Sequence, residues 1–386
     1  MLIYFIMTSV IALGGVCTHA NRSARNKRLF LIFSFGLMIL VAGLRAPSVG
    51  IDLAVHYAKR FEQITAYSWT QIPKFSVYSS YEIGYCYYCK LISMINSNVQ
   101  FFIFVTSAIV YGIMGYLIYK KSSDVIFSTM LVIFSCQYYM YMNIIRQALA
   151  VSIVLLGYIF LDKSQRSIMD YVKFAFFVLI ASTFHDSAIL CLIMIVFDRM
   201  QFKRRDILIS GAITALCYVL YSKVFILVAN LISNDSGSYA SYMEKAGENV
   251  GNINRQSITS LILTAGALFI GVYILVWKNR RHIKNMDSKE VYVLTRNESF
   301  LLYMGLLATI CRLLIFKMNI INRFSYYFVP FIVLLYPYAI NQITYVPNRK
   351  IIRTAVYLAY GIYFIWMTVS FVEKFYGAVP YVPFWK

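Results

Sequence analysis

Apolar residues in this chain come in unbroken runs separated by short polar stretches, with no strand-like alternation. Runs of about 17–22 residues match what a helix needs to cross a hydrocarbon core of about 30 Å. Leu2–Thr18 makes the first, followed by Arg22, Arg25, Lys27 and Arg28 and then by Leu29–Leu44. Arg45 to Val99 is the longest polar segment, about fifty residues and too long for a mere connector. Its second half, Ser80–Ile95, is Tyr-rich and amphipathic and predicts an interfacial helix. Gln100–Tyr119 crosses to Lys120 and Lys121, and Val125–Leu161 predicts two spans with a tight turn near Met142–Asn143. Phe174–Phe197 has basic residues on both sides, which favours a recessed hairpin turning at Phe184–Ser187 over one long span. Ile207–Ile232, Ile258–Trp277, Phe300–Phe316, Phe324–Ile340 and Ala355–Phe371 complete about twelve spans with both termini outside. A second polar outer loop covers residues 233–257.

Composition turns this pattern into a class. With 60% apolar residues and a mean hydropathy of +0.66, a soluble globular protein is excluded. Backbone in lipid must satisfy its own hydrogen bonds, so the expected architecture is an all-α polytopic membrane helix bundle, one domain over 1–386. The net charge of +20 suggests nucleic acid at first sight. Most of the 36 Lys and Arg, however, lie in short loops between apolar runs, which is the positive-inside pattern and reports orientation; no nucleic-acid partner is expected. Leu2 onward has no basic leader, so the first run is expected to stay as a helix. The seven cysteines are scattered, and Cys86-x-x-Cys89 lacks a second pair, so packing is the better reading. The sequence carries no Walker A loop, dinucleotide turn, HExxH, GxSxG or outer Asp-x-Asp, so no cofactor or metal site is expected.

Against this background a few polar residues need a cause. Arg45, Arg146 and Arg323 lie at the predicted outer face and Arg312 about one turn below it, against the positive-inside trend. One reading is snorkelling or pairing with Asp52, Glu82 or Asp186. The other is convergence on an anionic headgroup, because a guanidinium fork suits phosphate and each charge-assisted bond contributes about 1.5–3 kcal/mol. His185, recessed beside Asp186, is a candidate proton acceptor. His56 and Tyr57 lie together in the wet loop, and the clustered tyrosines suit an interface belt or sugar stacking.

Arg45…Val49-Gly50-x-Asp52…Tyr57, then Glu82-x-Gly84-Tyr85, Ile145-Arg146-Gln147-x-Leu149-Ala150, Phe184-His185-x-Ser187-Ala188 and Asn322-Arg323-Phe324 occur in an order that resembles the EpsG family. Its members are Wzy-type polymerases of bacterial surface polysaccharides such as O-antigen and capsule. The resemblance implies a GT-C-like glycosyltransferase in the bacterial inner membrane, its active site facing the periplasm. It would join the reducing end of a glycan on undecaprenyl pyrophosphate to a hydroxyl of another lipid-linked oligosaccharide, without a metal. Membrane lipid and a chain-length regulator protein are the further partners implied. Arg146 and Arg323 would hold the pyrophosphate, with Arg45 and Arg312 in support. Asp52 and Glu82 would orient arginines or sugar hydroxyls, and His185 would be the base with Asp52 as runner-up. Tyr57, Tyr85 and Gln147 complete the expected binding set. Two other readings stay open: a flippase for the same lipid-linked unit, which should carry midplane charges and inverted repeats, and a ligase, which shares the chemistry.

Overall fold

A computed structural model of the protein describes residues 1–161, 165–220, 254–278, 294–316, 321–370 and 372–386. Every described element is helical, and the only extended pairing among the described residues is an isolated bridge between Arg45 and Pro383. The predicted helical class therefore holds. The end of the predicted span Ile207–Ile232, most of the predicted outer loop 233–257 and most of the basic loop 278–296 lie outside the described residues.

The helices start where short polar residues can cap them. Helix α1 (Leu2–Cys17) precedes α2 (Ala24–Gly43), whose N-cap Ser23 accepts from the Asn26 N–H. The stretch expected as a polar loop holds a π turn (Leu53–Tyr57), α3 (Ala58–Thr65), α4 (Ile72–Ser79) and α5 (Ile83–Ile95). Helix α6 (Val99–Lys121) is capped by Asn98 and closes on Lys120 and Lys121, cations suited to a helix C-terminus. Helices α7 (Val125–Phe134) and α8 (Gln137–Asn143) meet at a 57° bend, where Cys136 takes a φ of +62°. Then come α9 (Ile145–Leu161) and α10 (Ile168–Ser182), the latter opened by a Ser167–Asp170 capping box.

Beyond them lie a 3₁₀ segment (Asp186–Leu192), α11 (Ile193–Arg199), α12 (Arg204–Val219), α13 (Arg255–Val272), α14 (Arg296–Leu314), α15 (Asn322–Asn341), α16 (Val346–Ser370) and α17 (Val372–Tyr376).

Six helices among the described residues are long and apolar enough to span a membrane, or seven if α7 and α8 count as one bent span. Among the described residues the expectation of about twelve spans gains no support. Helices α1 and α9 have 16 and 17 residues. At 1.5 Å per residue they reach only about 24–26 Å, short of a full hydrocarbon core. The break predicted at Phe184–Ser187 is present, since α10 ends at Ser182 and the 3₁₀ segment begins at Asp186.

The chain divides into two compact units, Met1–Ala188 with Val356–Lys386, and Ile189–Ala355. In the first, α2 packs along α6, α6 along α9, and α9 along α10. Helices α2 and α6 run antiparallel: Arg28 lies 6.0 Å from the Tyr119 ring centre at one end, and Gln100 donates to the Gly43 carbonyl (2.5 Å) at the other. At the basic end Asn21 donates to Asp124 (2.7 Å) and accepts from the Val125 N–H (3.0 Å), joining the two inter-helix connections. In the second unit α13, α14 and α15 pack together, and Arg296 pairs with the buried Asp198 at 2.8 Å.

Candidate functional site

The site lies in the first unit, at the end of α2 and α6 away from the basic cluster. Its floor is the Arg45–Tyr57 stretch. Arg45 is 2% exposed and donates through Nη1 to Ala42 O (2.6 Å), Nε to Val49 O (3.1 Å) and Nη2 to Met142 O (2.8 Å). It therefore closes the C-terminal end of α2, whose last carbonyls lack helical partners, and staples the loop to the end of α8. Gly50 (φ +115°) donates its N–H to Gly377 O at 2.8 Å, a left-handed backbone that a side chain would strain. Asp52 N–H donates to the Asn143 side chain at 2.9 Å, so the loop is anchored on both flanks. The π turn that follows carries Tyr57 at its last position, a register change of the kind common at functional sites.

Three further segments meet Tyr57. Arg146, the second residue of α9, forms an ion pair with Glu82, the N-cap residue of α5. The pair is partly buried, with 17% and 12% of the side chains exposed. The Arg146 guanidinium also lies over the Tyr81 ring, 4.1 Å from its centre, and 5.9 Å from the centre of the Tyr57 ring. Its Nε is buried with no partner among the described residues. The rings of Tyr57, Tyr81 and Tyr85 contact one another at 5.7–6.0 Å between centres.

The Glu-x-Gly-Tyr stretch is placed by α10. Gly84 and Tyr85 both donate backbone N–H groups to Thr183 O, at 2.8 and 3.2 Å, satisfying two donors of the first turn of α5. A Cβ on Gly84 would lie 2.0 Å from Thr183 Oγ1, so only glycine permits this approach. Asp186 N–H then donates to the other oxygen of Glu82, Oε1, at 3.3 Å. The carboxylate of Glu82 thereby joins α5, α9 and the break after α10. Partial burial and the neighbouring Glu82 charge raise the Asp186 carboxyl to about 6, against a partial offset from Arg146.

Residues from four separated motifs thus make one cluster, and a sequence comparison covers all of it and nearly all of the chain. The profile of the EpsG family matches residues 28–382. The chain belongs to the EpsG family. No curated protein and no solved structure matches the chain, so the GT-C-like architecture gains no support. For an EpsG-family chain with these helices, a membrane role in polysaccharide biosynthesis follows.

The expected site residues do not all come together. Arg146, Glu82, Tyr57 and Tyr85 come together as described. Gln147 is 2% exposed within α9, and Asp52 sits half-buried in the anchored loop. Arg45 stands apart from them: its guanidinium donates to three backbone carbonyls, and these partners are separate from those of Arg146.

His185 lies in the turn after α10. It is 8% exposed, and its Nδ1 lies 2.8 Å from Ser187 Oγ, an arrangement that fixes the turn. Arg312 and Arg323 belong to the second unit. There Arg312 donates to Asn322 Oδ1 (2.8 Å) and lies 5.7 Å from the Tyr326 ring centre, while its Nε is buried with no partner among the described residues. Arg323 is half-buried in the first turn of α15.

Tyr81 and Thr183 were not singled out from sequence, and Asp186 only as a neighbour of His185 or a partner for arginine. The adjacency of Tyr81 to Glu82 was the one signal available. Cys86 and Cys89 are free and buried, and burial pushes the Cys86 thiol up to about 11, as a packing role requires.

Proposed function

We propose that the protein is a polysaccharide polymerase that transfers a growing glycan from undecaprenyl pyrophosphate to a sugar hydroxyl of a second lipid-linked repeat unit. The observation that carries this reading is the Arg146–Glu82 pair inside the tyrosine cluster. Arg146 is held by Glu82 and Tyr57 yet keeps a buried, unpartnered Nε, which a phosphate oxygen would satisfy. Pyrophosphate is a good leaving group, so neutralising its developing charge is the main catalytic task, and a preorganised guanidinium does that. The tyrosine rings offer flat apolar faces for sugars.

Within the second unit, Arg312, whose Nε is buried with no partner among the described residues, and Arg323 are assigned to binding an anionic group in that unit. Asp52 is assigned to orienting sugar hydroxyls. The cluster lies at the end of α2 and α6 opposite Arg28, Lys120 and Lys121, which with the positive-inside rule supports a periplasmic assignment in the inner membrane. A chain-length regulator would act from that same side.

The test is incubation of the purified protein in lipid vesicles with lipid-linked repeat units, followed by a gel. The wild type should produce a ladder, and Arg146→Ala should lose it by about 100-fold or more at unchanged protein level. Full-length polymer from Arg146→Ala would remove the mechanism. Unflipped repeat units accumulating on the inner leaflet of a deletion strain would favour a flippase, and preserved polymer length with lost attachment would favour a ligase.

A further inference from the structure

Transfer to a hydroxyl needs a group that takes the hydroxyl proton, and His185 is poorly placed to do so. Its ring is buried and engaged by Ser187. Glu82 is occupied as well: one oxygen pairs with Arg146 and the other accepts the Asp186 N–H. Asp52 belongs to the anchored loop, and the carboxylate that remains beside Glu82 and Arg146 is that of Asp186. Its neighbours His185 and Ser187 are both buried while Asp186 itself is only partly covered, so its carboxylate is the accessible polar group of this turn. The bond from its N–H to Glu82 ties it to the Arg146 cluster.

On the polymerase reading above, we infer that Asp186 is the general base for the acceptor hydroxyl, with Glu82 as its positioning residue. In this step the acceptor oxygen bonds to the anomeric carbon of the donor glycan. The bond from that carbon to the pyrophosphate oxygen breaks, and its electron pair leaves on the pyrophosphate beside Arg146. The hydroxyl proton passes to the Asp186 carboxylate and from there to water.

The surroundings suit this work. Glu82 from α5 raises the proton affinity of Asp186 and Arg146 from α9 lowers it, with burial as the largest influence. Tyr57 and Tyr81 line the same cluster, and burial keeps the Tyr81 hydroxyl protonated. A carboxyl near 6 is largely ionised at neutral pH yet far more basic than a free aspartate, which is what efficient proton transfer asks. The same environment makes ionised Asp186 unfavourable in the folded state. Its folded value lies above the unfolded one, so stability falls as pH rises from about 4 to about 6 and stays lower beyond.

The test measures kcat and KM for wild type, Asp186→Asn and Asp186→Glu from about pH 5 to about pH 9 in lipid vesicles with lipid pyrophosphate-linked units. Wild-type kcat should fall as pH drops below about 6. Asp186→Asn should lower kcat about 100-fold or more, flatten that limb and leave KM within a few-fold. Asp186→Glu should recover much of kcat with a shifted limb. The unfolding temperature of Asp186→Asn near neutral pH should equal or exceed that of wild type, which a merely structural aspartate would not give. An Asp186→Asn protein that polymerises within a few-fold of wild type, or keeps its acid limb, removes Asp186 as base and leaves the polymerase standing. A wild type that elongates nothing at any pH removes the polymerase and this inference together.

Discussion

Two arginines of similar sequence context have different physical fates. Arg45 follows an apolar helix and Arg146 opens one, and both suggest an anion site when read from sequence. The partners separate them. Arg45 donates to three backbone carbonyls in a closed environment, whereas Arg146 is held by a carboxylate and two tyrosines with one donor to spare. Removing Arg45 leaves buried carbonyls without donors, each costing about 1–3 kcal/mol. Arg45→Ala should therefore lower the unfolding temperature and membrane yield, and Arg45→Lys should do so less, because an ammonium still donates to some of the carbonyls although it cannot span all three. Unfolding curves in detergent check this. An Arg45→Ala protein with unchanged stability and only a raised donor KM would return Arg45 to the binding set.

At the scale of elements, the site depends on the docking of α5 against the end of α10. Gly84→Ala places a methyl group against Thr183 Oγ1 and the Thr183 carbonyl, so α5 must shift and carry Glu82 away from Arg146 and Asp186. Overpacking of this kind costs about 1–3 kcal/mol. Gly84→Ala should lower both unfolding temperature and polymer yield. Thr183→Ala should be mild alone and only partly rescue the double variant, since the backbone carbonyl remains in the way.

Much of this geometry was legible in the sequence. The interfacial helix within Ser80–Ile95, the turn beside Asn143 and the break at Phe184–Ser187 all fall where polar or small residues interrupt apolar runs. The bend at Ser135–Cys136 was not legible, because it has neither Gly nor Pro and rests on tertiary packing. Nor were α3 and α4, whose helical faces hide in a segment of mixed polarity. Hydropathy registers apolar length but not where a helix starts and stops. The opposing roles of Arg45 and Arg146 depend on contacts distant in sequence, which no local pattern records.

Within the first unit, the loop bearing the leading motif is held from the far end of the chain. Leu44 O accepts from Phe384 N–H at 2.9 Å, Ala46 N–H donates to Val382 O at 2.8 Å, and Gly50 N–H donates to Gly377 O at 2.8 Å. Tyr4 and Tyr381 add hydroxyl bonds to Ala378 O (2.7 Å) and Val41 O (3.0 Å), so α1, α2 and the C-terminal segment close around Arg45. A carbonyl or N–H in such a loop needs a partner, and deleting residues 378–386 removes several at once. The loop ends in the π turn that aims Tyr57 at Arg146, so loosening it should reach the site without altering any residue there. The truncated protein should show faster amide exchange over residues 44–57 and about tenfold less polymer, with donor KM raised more than kcat is lowered. Exchange mass spectrometry and the vesicle assay report the two effects separately. A truncated protein that exchanges faster yet polymerises normally would mean that Glu82 and α9 alone hold Arg146 in place, with the C-terminal segment contributing only to stability.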